Sequence, residues 1–264
     1  MLDTGRMTID RSQVLWNVDC GVRLRFPIYA VLIDHPEGLF LFDTGIDADH
    51  VRATFPWEDV EQSSEQGIVQ QLASCGYAPG DVTYVVNSHL HFDHVGGNRF
   101  FGEATTLVSK DELRQAKVPE QFERLAYSDQ SFDHPGMRCE LLEGDVELAR
   151  GLTLFETPGH SAGHYSLLVH GEAGQRKMLF TFDAAYTLEN LDREIISGFH
   201  LDPVAATKSI KRLKKLARDH DATIFVAHDL EAFDGYKRAP ESYAVATVHD
   251  AAVARPSAAE TGMR

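Results

Sequence analysis

The sequence predicts an α/β domain (α+β by some schemes) in which layered sheets are covered by helices. Short runs rich in Val, Ile, Phe, Leu and Thr recur along the 264 residues, and amphipathic helical patterns lie between some of them. The hydrophobic fraction of 43% is ordinary for a globular protein, and a chain of this length can bury a sizeable core. Because no repeat or Pro/Ser-rich linker divides the chain, one layered domain is favoured.

Seven runs have the composition of strands, and two segments have helical periodicity. The predicted helices are 65–75 and Pro203–His220, and Asp202 is a good N-cap for the second. We expect residues 1–244 to form the domain and residues 245–264, rich in Ala and polar residues, to form a flexible C-terminal tail. The predicted strands are 29–34, 39–42, 82–87, 105–108, 152–157, 178–182 and 223–227.

Charge and composition argue against several partners and locations. The net charge of −15 repels phosphate backbones, so nucleic acid is not expected to bind. No run of about 18 apolar residues predicts a membrane span, and residues 1–13 lack the apolar stretch of a secretory signal. The expected location is therefore the cytoplasm. Cys20, Cys75 and Cys139 form no C-x-x-C pair, and all three are predicted to be buried or half-buried.

The segment 88–94, with the sequence S-H-L-H-F-D-H, carries four side chains that can bind a metal ion. It directly follows a predicted strand, and His89 and His91 point to the same side of an extended stretch. Asp93 and His94 follow where two glycines allow the chain to turn. Imidazole and carboxylate ligands suit zinc, and four so close together favour two adjacent metal ions.

Three more candidate ligands follow predicted strands, namely His160, Asp183 and His228. A single His or Asp at a strand end is usually a turn or capping residue. The repetition of the same placement is what matters, because loops at one edge of a layered domain build a common site.

Together these residues resemble the metallo-β-lactamase superfamily. The resemblance rests on H-x-H-x-D-H, a His in T-P-G-H, the segment D-A-A-Y and a late His, and it covers about residues 2–243. It implies a four-layer αββα sandwich with the site at one edge. It also implies that one metal is held by His89, His91 and His160, that the other is held by Asp93, His94 and His228, and that Asp183 bridges them.

The resemblance implies roles for three residues around the metals. Asp43, in a D-T-G segment after an early strand, is expected to support the site, with a simple turn as the alternative. The segments G-H-S-A-G-H and F-D-A-A-Y are similar to those of the lactonase branch. There Tyr186 is expected to contact the lactone carbonyl, with a packing role as the alternative, and His164 is expected to lie behind the ligands.

The expected reaction is hydrolysis of a small lactone to its hydroxy acid by a hydroxide held between two divalent metal ions. Tyr186 would stabilise the oxyanion, and Asp93 would pass a proton to the leaving oxygen. Segments such as 25–27 and 127–132 are similar to 4-pyridoxolactonases of vitamin B6 breakdown, so 4-pyridoxolactone is the first expected substrate. N-acyl homoserine lactones, hydrolysed in quorum quenching, are the alternative. Another ester, thioester or phosphodiester hydrolase of this fold, or a non-catalytic metal or redox protein, stays open.

The cofactors and partners are less determined than the ligands. Zinc is favoured for both metal positions, with iron, manganese and cobalt as alternatives. No substrate-binding residue is assigned, because Phe26, Tyr29, Trp57 and Phe199 could line a pocket for either lactone. A homodimer is compatible with the sequence, although no motif supports it.

Overall fold

The computed structural model describes residues 1–124, 126–134, 136–171 and 176–244, so the predicted tail 245–264 lies outside the described residues. The strands are β1 (Leu2–Asp10), β2 (Arg23–His35), β3 (Gly38–Phe42), β4 (Asp59–Glu61), β5 (Tyr84–Val86), β6 (Thr105–Ser109), β7 (Arg138–Leu142), β8 (Val146–Ala149), β9 (Leu152–Glu156), β10 (Tyr165–Val169), β11 (Lys177–Phe180) and β12 (Ala222–Phe225). The helices are α1 (Arg11–Val14), α2 (Ala48–Thr54), α3 (Ile68–Ser74), α4 (Phe92–Val95), α5 (Lys110–Lys117), α6 (Asp129–Phe132), α7 (Leu188–Arg193), α8 (Pro203–His220) and α9 (Leu230–Asp234).

The strands form two sheets. The first has the order β4-β1-β2-β3-β5-β6-β7 and the second has the order β12-β11-β10-β9-β8. In the first sheet β3, β5, β6 and β7 are parallel to one another, whereas the pairs β4–β1, β1–β2 and β2–β3 are antiparallel. In the second sheet the β11–β12 pair is parallel and the others are antiparallel.

The main core lies between the two sheets. Because strand side chains alternate between faces, Phe40 and Phe42 of β3 point inward and meet Leu167 of β10 and Phe180 of β11. The neighbouring residues of the same strands pack on the outer faces instead. This alternation explains why both faces of each sheet are apolar, as a sheet covered on both sides requires.

Helices cover both outer faces. On the first sheet, Ile68 and Leu72 of α3 pack against Leu39 and Leu41 of β3. On the second sheet, α8 packs Ile210 and Leu213 against residues of β10 and β11, and this helix has the predicted bounds. The four-layer αββα arrangement implied by the resemblance is confirmed.

The structure corrects three sequence expectations. The predicted helix 65–75 is broken at Gly67 into a 3-10 turn, Ser64–Gln66, and α3. Strand β1 was not predicted, because its polar residues interrupt the apolar composition by which strands were recognised. Two of these residues satisfy each other, since Arg6 donates hydrogen bonds to Asp3 at 2.5 and 2.9 Å. Cys20 is exposed rather than buried or half-buried, since it lies in the loop between α1 and β2.

None of the helices in the described residues has the length and apolar character that crossing a bilayer requires.

Gly159 determines how closely the loop that carries His160 approaches α8. Its φ of +127° lies in a region that residues with a Cβ rarely adopt, and a Cβ there would lie 2.0 Å from the backbone nitrogen of Ala206. Its carbonyl also accepts hydrogen bonds from the backbone N–H groups of Leu201 at 2.8 Å and Asp202 at 3.0 Å. The loop and the start of α8 are therefore in direct backbone contact.

We expect Gly159→Ala to lower the free energy of unfolding by about 2–4 kcal/mol, because it adds both backbone strain and a clash. Equilibrium urea unfolding measures this change. Gly102→Ala is the matched control, since a Cβ at that exposed glycine meets nothing within 4 Å. An unchanged unfolding free energy in Gly159→Ala would show that the loop can move away from α8 without cost.

Candidate metal centre and active site

The candidate ligands converge because each follows the end of a strand at one edge of the two sheets. His89 and His91 follow β5, and His160 follows β9. Asp183 and His228 follow β11 and β12, which are parallel neighbours. The structure brings all seven predicted ligands together. His89, His91 and His160 form the first group, and Asp93, His94 and His228 form the second. His89, His94 and Asp183 form a further group that shares one histidine with each of these two.

The first group consists of three imidazoles whose nitrogens face one another. His160 Nε2 lies 3.2 Å from His89 Nε2 and 2.9 Å from His91 Nδ1. Burial lowers the pKa of all three, and most strongly that of His89 and His91. Three neutral nitrogens that share one centre form a typical metal-binding face.

Asp183 joins this group to the second. Its Oδ2 lies 3.4 Å from His160 Nε2 and 3.9 Å from His89 Nε2. Its Oδ1 lies 3.0 Å from His94 Nε2 and 3.1 Å from His228 Nε2. One oxygen of the carboxylate therefore faces each group, which is the geometry of a bridging ligand.

Asp93 completes the second group. Its Oδ2 lies 3.6 Å from His94 Nε2 and 3.9 Å from His228 Nε2. Unlike the other ligands, Asp93 is partly open to the pocket.

The opposite ring nitrogens are held by hydrogen bonds outside the metal groups. His94 Nδ1 lies 2.8 Å from Asp43 Oδ2, His160 Nδ1 lies 2.9 Å from the Phe199 carbonyl oxygen, and His228 Nδ1 lies 2.9 Å from the Pro27 carbonyl oxygen. An acceptor at Nδ1 requires the proton there and leaves the Nε2 lone pair free for a metal.

The polar atoms at the centre fit metal ions. His94 Nε2 and Asp183 Oδ1 are fully buried and lie 3.0 Å apart, but they do not have the geometry of a hydrogen bond with each other or with any other group in the described residues. Unpaired buried polar atoms are costly unless an ion or water satisfies them. Two ligands about 2.1 Å from one ion lie roughly 3.0–3.4 Å apart, which matches the separations of these nitrogen and oxygen atoms.

The electrostatics of the second group differ from those of the first. Burial alone would lower the pKa of His94 and His228, but the nearby carboxylates, Asp183 first, outweigh it and raise both values. Burial would likewise raise the pKa of Asp183, but His94 and His228 hold it well below its usual range. In the metal-free site, the carboxylates therefore favour protonation of His94 and His228, and these imidazoles favour the ionised form of Asp183.

Asp43 and His164 lie behind the candidate ligands and hydrogen bond to them. Asp43 accepts hydrogen bonds from Ser88 N and Ser88 Oγ, both at 2.8 Å, and so fixes the start of the ligand loop as well as His94. His164 Nε2 accepts from the backbone N–H of Asp183 at 3.0 Å, and its Nδ1 lies 2.8 Å from Thr157 Oγ1. His164 therefore positions Asp183 without facing the metal groups.

Tyr186 lies over the ligands and lines the pocket. Its ring centroid is 4.8 Å from that of His228 and 5.7 Å from that of His160. Burial raises the pKa of Tyr186 well above its ordinary value, and Asp183 and Asp93 add to the rise. Its hydroxyl therefore stays protonated and can act as a hydrogen-bond donor.

A cavity of about 390 Å³ opens onto the ligands. Of the residues that sequence analysis considered for a pocket, Phe26, Trp57 and Phe199 line it, whereas Tyr29 lies in the core between the sheets and donates to the Val226 carbonyl at 3.0 Å. The apolar part of the wall consists of Met7, Ile9, Phe26, Phe92, Ala126, Phe199 and Leu201, and Trp57 and Phe122 stand exposed at its rim.

Comparison with known proteins identifies the family. The model of the metallo-β-lactamase superfamily matches residues 23–228. The chain belongs to this superfamily. An N-acyl homoserine lactonase, AttM, of Rhizobium radiobacter is 36% identical over 261 residues, covering 92% of this chain and 97% of its own. An N-acyl homoserine lactonase of Bacillus cereus is 35% identical over 246 residues, covering 90% of this chain and 95% of its own.

Solved structures agree. An N-acyl homoserine lactone hydrolase with the product N-hexanoyl-L-homoserine bound at its catalytic metal centre superposes with a TM-score of 0.82 at 33% identity. The match covers 91% of this chain and 96% of that one. The predicted membership of the lactonase branch and the prediction of a metal-dependent hydrolase are therefore confirmed.

Sequence reasoning missed Glu112, a buried residue in the first turn of α5. Its carboxylate accepts from Leu90 N at 3.0 Å, from Gly163 N at 2.9 Å and from Tyr127 Oη at 3.3 Å. Glu112 thus ties the loop of His89 and His91 to the loop of His160. An S-x-x-E pattern beginning at Ser109 could have located the start of α5, but not this role.

We expect Asp43→Asn to weaken zinc binding by about 10- to 100-fold, because an amide N–H₂ would replace the acceptor that orients His94. Asn tolerates the positive φ of 59° at this position, so the backbone should be retained. Asp221→Asn, at another positive φ but at the exposed end of α8, is the matched control. Competition with a chromophoric chelator measures the affinity, and parental affinity in Asp43→Asn would contradict the role of Asp43.

We expect zinc binding near pH 7 to release protons from His94 and His228, because each must lose its extra proton before it can coordinate. Their pKa values are raised, so affinity at this group should fall as the pH drops through values above the usual 6.5 for histidine. The first group is already neutral and should release none. Calorimetry in buffers of different ionisation enthalpy counts the protons, and a count near zero would refute this charge state.

Proposed function

We propose that this protein hydrolyses N-acyl homoserine lactones, opening the lactone ring to give N-acyl homoserine. The observation that carries the proposal is the pocket: five of the seven ligand candidates (His91, Asp93, His160, Asp183 and His228) and Tyr186 line it, and much of its wall is apolar. A lactone at the base would place an acyl chain along that wall. The relatives of known activity at 33–36% identity, which act on these lactones, support the same substrate class.

We assign two divalent metal ions, with zinc preferred, to the ligand groups. His89, His91 and His160 would hold one, Asp93, His94 and His228 would hold the other, and Asp183 would bridge them. The donor set of imidazole and carboxylate supports zinc. When bound, such ions supply Lewis acidity and lower the pKa of a water molecule towards neutrality.

The residues around the metal groups would orient the lactone and handle its charge. Tyr186 keeps its proton, so its hydroxyl can donate to the carbonyl oxygen as negative charge develops there. Asp93 is the less enclosed of the two ligand carboxylates. From that position it can take up the proton that the attacking water gives up and pass it to the ring oxygen as the bond between that oxygen and the carbonyl carbon breaks. The hydrogen bonds of Asp43 with His94 and of His164 with the backbone of Asp183 would keep these two ligands in position during the reaction.

The choice of lactone departs from the first expectation of sequence analysis. The relatives favour N-acyl homoserine lactones over 4-pyridoxolactone, which none of the comparisons described above supports. We retain residues 1–244 as the proposed hydrolase domain.

The test is acid release in a pH-stat from N-hexanoyl and N-decanoyl homoserine lactone by the zinc-loaded protein. We expect release that is lost on chelation and restored by zinc. Tyr186→Phe should keep both metals and lower kcat by about 100-fold, the usual effect of losing one oxyanion donor.

The same assay with 4-pyridoxolactone tests the substrate that sequence analysis expected first. Release from 4-pyridoxolactone alone would overturn the proposed substrate and leave the lactonase assignment standing. Parental kinetics in Tyr186→Phe would make Tyr186 a packing residue.

A further inference from the structure

One ligand ring is oriented by a side-chain hydroxyl that belongs to neither metal group. His89 Nδ1 lies 3.0 Å from Ser88 Oγ, and both residues are buried. The other three imidazoles that surround Asp183 bond at Nδ1 to a carboxylate or to a backbone carbonyl oxygen. Of these four imidazoles, His89 is therefore the one whose orientation depends on a hydroxyl group.

The Ser88 hydroxyl has one proton, and its neighbours determine where that proton points. Ser88 Oγ lies 2.8 Å from Asp43 Oδ2, which also lies 2.8 Å from His94 Nδ1. The other carboxylate oxygen of Asp43 accepts from Ser88 N at 2.8 Å. Because a carboxylate can only accept, the hydroxyl proton points to Asp43. The lone pairs of the hydroxyl oxygen are left to accept from His89 Nδ1.

This arrangement selects one tautomer of His89. A neutral imidazole has a single ring proton, so a proton on Nδ1 leaves the lone pair on Nε2 free. Nε2 is the atom of His89 that lies 3.2 Å from His160 Nε2 in the first group. Ser88 therefore favours the tautomer and the ring orientation that a metal held by the first group requires.

Asp43 thus contacts both metal groups by two routes. It bonds directly to His94 of the second group, and it bonds to His89 of the first group through the Ser88 hydroxyl. The same oxygen, Oδ2, takes part in both routes. Residues that hold a metal ligand from behind commonly change metal affinity when they are replaced.

We propose that Ser88 is a positioning residue for the first metal ion. Its hydroxyl passes the orientation set by Asp43 on to His89, so that one buried carboxylate organises ligands of both metal ions. This inference rests on the two metal ions of the proposed function and is independent of the choice of lactone.

The experiment measures the two stepwise zinc affinities of the full chain by competition with a chromophoric chelator. Ser88→Ala removes the hydroxyl, and Ser88→Thr keeps one. Ser209→Ala is the matched control, because that buried hydroxyl donates to the Pro158 carbonyl at 2.7 Å and contacts no ligand ring. Thermal unfolding of each metal-free variant shows whether it folds.

For Ser88→Ala we expect one zinc affinity to fall about 10- to 100-fold, because His89 loses its acceptor. The other affinity should stay near that of the parent, since Asp43 still bonds to His94. Ser88→Thr and Ser209→Ala should keep both affinities near those of the parent.

A second measurement needs no metal. The NMR chemical shifts of the histidine ring nitrogens in the zinc-free protein report which nitrogen carries the proton. We expect the proton of His89 on Nδ1 in the parent and in Ser88→Thr, and a mixture of both tautomers in Ser88→Ala. A serine that only supports packing would change the thermal stability without changing this tautomer.

Three results would overturn the inference. Parental zinc affinities in a folded Ser88→Ala, or an unchanged His89 tautomer in it, would refute the positioning role. An equal loss of both affinities would show that the hydroxyl supports the whole ligand loop instead of one ring. A parent protein that binds fewer than two zinc ions would refute the metal assignment itself, whichever lactone it hydrolyses.

Discussion

The site depends on the buried carboxylate of Asp183. It is enclosed by four imidazoles at 3.0–3.9 Å, and its backbone N–H is held by His164. A buried carboxylate without compensating positive charge would be strongly destabilising. In the metal-free protein, Asp183 raises the pKa of His94 and His228, which favours the protonated imidazoles that would supply that charge. Metal ions would take the place of those protons, so metal binding and proton release would occur together.

The sandwich supplies the rigidity that such a cluster needs. Ligands on flexible loops would not keep their positions if only their contacts with one another held them. Here each ligand loop starts at a strand end, and hydrogen bonds from buried carboxylates behind the site fix it. Asp43 holds Ser88 and His94, and Glu112 joins Leu90 to Gly163. Gly163 permits this closeness, because a Cβ there would lie 2.5 Å from the Glu112 backbone nitrogen. The supporting carboxylates are therefore as much a part of the site as the ligands.

The sequence was informative wherever a function is carried by residue type at short spacing. H-x-H-x-D-H and the placement of His160, Asp183 and His228 after apolar runs were enough to predict which side chains meet. The acceptors behind His160 and His228 could not be predicted, because they are the carbonyl oxygens of Phe199 and Pro27, and any residue has a carbonyl. The Pro27 contact also spans 201 residues, a separation that only the packed fold determines. Likewise β1 is an interior strand of the first sheet. Its Asp3 pairs with Arg6 of the same strand and also accepts a hydrogen bond from the distant Gln66 side chain, a contact that local periodicity does not reveal.

Different residues would determine the choice of substrate and the hydrolysis itself. In the proposed reaction the ligands and Tyr186 act on a carbonyl and a ring oxygen, which every lactone has, so the residues that define the family cannot select among lactones. Selection falls to the wall, which is assembled from distant segments: Met7 and Ile9 of β1, Trp57 and Glu58 before β4, and Phe199 before α8. Of these positions, Trp57 is exposed and can vary without disturbing the metal edge, whereas Met7 and Ile9 also belong to the core cluster that contains Tyr186. A resemblance that covers most of the chain can therefore establish the class of reaction and still leave the choice between 4-pyridoxolactone and N-acyl homoserine lactones to the residues of the pocket wall.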